Sequence, residues 1–264
     1  MFLERSDNMR KYYILLFLLI IIGSIVEIGS YLKPAMIVHE TLTNMAAANS
    51  IMPLAGKKIL IDAGHQGKGN LEKEPIAPGS TVMKTKVTYG TTGVATGIPE
   101  YVFTLEMGLK LKESFAAMGA EVFMIREDHD VNISNKERAL IGNDLNVDLV
   151  IKIHADGAAD EKIRGISILY PSQHNKHTEK IAGKSRLAAT YILDGLIANT
   201  QAENRGIKAR ADITGFNWSV VPVVLIECGY MSNPQEDDLL SDPTYQARLV
   251  KGILKGTIEY FTNQ

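Results

Sequence analysis

Asp148-Leu149-Val150-Ile151-Lys152-Ile153-His154 is an apolar run interrupted once, by a lysine, and stopped by an imidazole. A near-continuous stretch of this kind reads as a strand buried on both faces, as in parallel sheets. Working outward, strand-like runs recur at residues 58–61, 122–125, 166–170 and 222–228, and helical patterns lie between them. Residues 99–119 open on Pro99, a favoured first-turn residue, and stop at Gly119. Within them Met107, Leu111, Phe115 and Met118 recur at helical spacing. Ser134 and Glu137 form an S-x-x-E capping box that opens a helix to about Leu145. Further helices are expected over residues 178–199 and 243–261. Strands alternating with helices predict an α/β sandwich around a largely parallel, buried sheet.

With 264 residues, 45% hydrophobic and 22% charged, the chain can bury a sizeable core, which excludes disorder. A net charge of −2 excludes a general nucleic-acid binder, which needs a concentrated basic face. Cys228 is the single cysteine, so no internal disulfide is available. Arg10 and Lys11 precede residues 12–26, an uncharged run rich in Ile and Leu that Glu27 closes. A basic region followed by such a run reads as a secretory signal or an uncleaved membrane anchor. No A-x-A site follows, which favours the anchor, with the remainder outside the cytoplasm. The expected organisation is therefore a signal or anchor over 1–32, a linker over 33–55 and the main domain over 56–264. The stretch from Gln66 to Ile98 is polar, Gly-rich and too long for an ordinary connection. It is expected to shape access to a site rather than the fold.

In α/β folds the chemistry gathers at the carboxyl ends of strands. Three expected strands lead into His65, His154 and Glu227, and Glu100 sits in the first turn of a helix. Two imidazoles and a carboxylate are a catalytic zinc set that leaves one tetrahedral position open. The four positions are scattered along the chain, so spacing alone also admits a plain turn at Gly64-His65-Gln66-Gly67 and a helix-start charge at Glu100.

The successive blocks Ile59-Leu60-Ile61-Asp62-Ala63-Gly64-His65, Pro99-Glu100, Ile153-His154-Ala155-Asp156 and Pro222-Val223-Val224-Leu225-Ile226-Glu227-Cys228-Gly229-Tyr230-Met231-Ser232-Asn233 resemble, in order, those of the zinc-dependent N-acetylmuramoyl-L-alanine amidases. The resemblance implies a single domain with a mixed, mostly parallel central sheet flanked by helices. It implies zinc held by His65, Glu100 and His154, with Glu227 as the catalytic acid/base. It also implies peptidoglycan as substrate and a place in the cell envelope, reached through the N-terminal segment, with any protein activator unidentified. Where the family often has a second glycine directly after the first histidine, this chain has Gln66, which bears on substrate contacts rather than on the metal set. Another zinc hydrolase of the wall, a peptidase or deacetylase, remains a rival, as does a non-catalytic wall-binding relative. Arg138 is expected to be a structural salt-bridge partner, Glu106 a surface charge and Cys228 a packing residue. Asp212, Asn217 and Trp218 are candidates to touch glycan or peptide, with packing an equal reading for Trp218.

Overall fold

The computed structural model describes residues 52–264. The expected anchor over 12–26 and nearly all of the expected linker lie outside the described residues. Among the described residues, no helix is long and apolar enough to cross a membrane.

The six-stranded sheet is ordered β4-β1-β5-β8-β6-β7. Its strands are β1 (Lys58–Ala63), β4 (Glu121–Met124), β5 (Leu149–Asp156), β6 (Ile166–Pro171), β7 (Asn204–Arg210) and β8 (Val223–Tyr230). Four of its five pairings are parallel, and only β6 against β8 is antiparallel. This is the single α/β domain with a mixed, mostly parallel sheet that the resemblance implied. Alternate residues of the strands supply two cores. Ile59, Ile61, Ile151, Ile153, Val224 and Ile226 pack under α1 (Glu100–Ala117), α3 (Glu179–Thr200) and α6 (Pro243–Thr262). On the other face Leu60, Val150, Val223 and Leu225 pack with Phe216 of the short α4 (Thr214–Asn217), beside α2 (Asn135–Asp144). The capping box at Ser134 and Glu137 forms as the sequence predicts. Along α3 and α6 the backbones nearly touch: a Cβ on Gly256 would lie 2.3 Å from the Tyr191 carbonyl oxygen.

The Gln66 to Ile98 stretch is not loop throughout. It contains an antiparallel hairpin, β2 (Asn70–Pro75) and β3 (Met83–Val87). Its strands show little apolar alternation, because only Glu74 and Val87 are buried. Three more elements were hidden in the sequence, the one-turn α4 among them. Strand β7 is a polar edge, and α5 (Pro234–Ser241) is short. The last had a readable signal: Asn233 accepts a bond from the Glu236 amide, and Pro234 opens the first turn.

Candidate metal centre

The polar residues of β1, β5 and β8 share one sheet face. Asp62 is the register partner of Lys152, and His154 that of Glu227. His154 and Glu227 do not end their strands as expected. Pairing runs on to Asp156 and Tyr230, through a register shift just after His154.

His65 leaves β1 through Gly64 and adopts a left-handed φ of 58°. Two buried guanidinium groups fix this bend by donating to its carbonyls. Arg126 Nε reaches Ala63 O, and its Nη2 reaches Gly64 O at 3.0 Å. Arg138 Nη1 donates to Ala63 O, and its Nη2 to His65 O at 2.9 Å. Gln66, fully buried, turns its amide inward: Oε1 accepts from Arg138 and from the Ile133 amide. The departure from the family pattern is thus structural, tying the bend to the start of α2. No side chain fits at Gly64, since a Cβ there would lie 2.4–2.7 Å from the His154 ring.

Beneath the bend, Asp62 pairs with both Arg138, at 2.6 Å, and Lys152. Burial pushes its carboxyl up, but the two cations prevail and hold it well below the ordinary value of 3.8.

Glu100, the first residue of α1, is 3% exposed. Its carboxylate accepts from the Thr91 and Ala155 amides, at 2.9 and 3.1 Å. It also lies 3.2 Å from His65 Nε2 and 3.0 Å from His154 Nδ1. Burial raises its pKa, yet the two imidazoles outweigh that and leave it well below the usual carboxylate range. For His154 burial dominates and lowers the pKa, favouring the neutral ring that a metal requires.

His65, Glu100 and His154 each offer a donor atom, all within 4.8 Å of one another. The donor set fits zinc. Thr88 O lies 3.0 Å from His65 Nδ1, so with a metal bound that nitrogen would carry the proton and Nε2 would be the one left to ligate.

Glu227 is half-buried, and its Oε2 is buried without a hydrogen-bond partner among the described residues. Burial first, then the charges of Glu100 and Asp156, push its pKa well above 4.5. Cys228, one residue on, faces the core, where burial raises its thiol pKa.

The other candidates do not converge on this cluster. Trp218 donates to Pro75 O and packs under Lys136, so it holds the hairpin. Asn217 is buried against Asn175. Asp212 pairs with Arg210 and Lys84 at the surface, and Glu106 with Lys110.

The family model described as N-acetylmuramoyl-L-alanine amidase, Amidase_3, matches residues 59–259. The N-acetylmuramoyl-L-alanine amidase Rv3717 of Mycobacterium tuberculosis is 27% identical over 217 residues, covering 80% of this chain and 89% of the relative. The germination-specific N-acetylmuramoyl-L-alanine amidase of Bacillus subtilis is 28% identical over 226 residues, 81% and 83% of the two chains. The crystal structure of the amidase Ami1 from Mycobacterium smegmatis superposes with a TM-score of 0.71 at 29% identity, covering 80% of this chain and 99% of that one. The chain therefore belongs to the N-acetylmuramoyl-L-alanine amidase family, hydrolases that cut the amide between N-acetylmuramic acid and the L-alanine of the peptidoglycan stem peptide.

Proposed function

We propose that this hydrolysis is zinc-dependent, with His65, Glu100 and His154 as the metal ligands and Glu227 as the proton carrier. The observation that supports it best is the convergence of three donors from β1, α1 and β5 within 4.8 Å, beside a fourth ionisable residue on the adjacent strand. Zinc held there supplies a Lewis acid that activates water and polarises a carbonyl near neutral pH.

The remaining chemistry belongs to the chain itself. Glu227 accepts a proton from the attacking water and returns it to the departing alanine amine, a role that contributes about 10² to 10⁴ in rate. A raised pKa makes the Glu227 carboxylate a better base towards the attacking water, and a value nearer the working pH still lets the acid return the proton to the amine. Asp62 stays ionised and spends its charge on Arg138 and Lys152, which keeps it out of the proton chemistry. The residues 12–26 serve as a signal or anchor that places the domain at the wall, in keeping with the cell-wall amidases it matches.

Two substitutions in the full chain test the assignment. His154→Ala is expected to abolish stoichiometric zinc. Glu227→Gln should keep zinc near wild type while turnover on wall fragments falls by about 10² or more, with little change in KM. Zinc retained in the first variant removes His154 from the ligands; zinc lost in the second makes Glu227 a ligand.

A further inference from the structure

On the far side of Glu227 from His154 lies β6, and the residue directly opposite Glu227 on it is Ser167. Opposed residues of an antiparallel pair project to the same face, with Cβ atoms about 4.5–5.5 Å apart. Ser167 is 1% exposed, and its Oγ has no hydrogen-bond partner among the described residues. Glu227 Oε2 is a second such atom, so two buried orphans face each other across one rung of the sheet. Buried polar atoms are almost always paired, because leaving one unpaired costs its full desolvation. Ser167 also stands out along its own strand. It is flanked by Ile166 and Ile168 and followed by Leu169, all buried. An alanine there would fill nearly the same space without burying a hydroxyl. Nearby donors are already engaged: His154 with Glu100, and Lys152 with Asp62.

We propose that Ser167 is a positioning residue for the amide hydrolysis, its hydroxyl donating to Glu227 Oε2 and leaving the other carboxylate oxygen to handle the proton. This rests on Glu227 being the proton carrier. A serine hydroxyl reaches such a partner by rotating about a single bond between staggered wells. A bond from a hydroxyl to an ionised carboxylate is among the stronger neutral-donor bonds. It survives protonation as well, because the hydroxyl carries two lone pairs besides its one proton. Glu227 is thereby held in one orientation in both of its charge states, which a carrier that must take and return one proton requires. The bond also belongs to this carboxyl alone, so losing it should touch turnover rather than substrate binding.

The test is a double-mutant cycle in the zinc-loaded full chain with Ser167→Ala, Glu227→Gln and the pair. Removing one buried oxygen leaves the packing of β6 intact, so folding is retained. In Ser167→Ala we expect kcat on wall fragments to fall about tenfold, the effect of one lost bond to a charged group. KM and zinc content should stay at wild-type values, and the thermal midpoint should fall by no more than several degrees. In the Glu227→Gln background the same change should cost nothing further. Wild-type kcat in Ser167→Ala, or a loss that multiplies fully with that of Glu227→Gln, overturns the proposal. So does a loss that tracks zinc content, which marks a structural residue. Full activity in Glu227→Gln alone is a separate failure, that of the proton-carrier reading itself.

Discussion

Asp62 is one carboxylate facing two buried cations, and it shows how a single side chain underwrites the candidate metal centre without touching it. Arg138 binds Asp62 on one side and the carbonyls of Ala63 and His65 on the other. Replacing Asp62 by Asn would leave Arg138 and Lys152 buried without their counter-charge, at a cost of about 3–5 kcal/mol. The pH dependence follows from the sign of the shift. A carboxyl held below its unfolded value stabilises the fold in full above that value and loses the contribution as pH falls through the folded one. The stability gap between wild type and Asp62→Asn should therefore be constant from neutral pH down to about 4 and narrow below it. Urea melts at pH 7, 5 and 3 would measure this, and a gap that widens in acid would contradict it.

Elements differ in how far the sequence reveals them. β1, β5 and β8 are apolar runs, and α1 and α6 carry a clear helical stripe, because burial dictates their composition. The same runs pointed to His65, His154 and Glu227, since an ionisable residue there interrupts or follows an otherwise apolar strand. What composition conceals is partnership. Nothing in Ile166-Ser167-Ile168 says that the serine faces Glu227, because that depends on β6 running antiparallel to β8. Nor does the polar hairpin announce its task. The stretch after β3 supplies Thr88 O to His65 and the Thr91 amide to Glu100. Two cuts separate these functions. Replacing residues 76–82, the turn between β2 and β3, by a shorter turn should leave zinc affinity unchanged. Deleting residues 69–90 removes the partner of His65 and should weaken zinc binding by about 10–100-fold, as other losses of a ligand's supporting bond do. Titration against a chromophoric chelator distinguishes the two, and equal affinities would return the hairpin to a role in access alone.

At the scale of the whole molecule, the domain is useful only where its substrate is. A reporter active solely after export, fused beyond Gln264, should be active in cells, and deleting residues 10–26 should silence it. Activity that survives the deletion would remove the signal or anchor reading from those residues. Strand order bears on the same journey. β8 is read from the chain after every other strand, yet it lies between β5 and β6 in the middle of the sheet. A chain that emerges amino end first exposes His65, Glu100 and His154 well before residues 223–230 arrive. Until then β5 has an open edge and the proposed proton carrier, Glu227, is missing. A chain cut short anywhere before that point therefore lacks the middle strand of its sheet and residue 227 together.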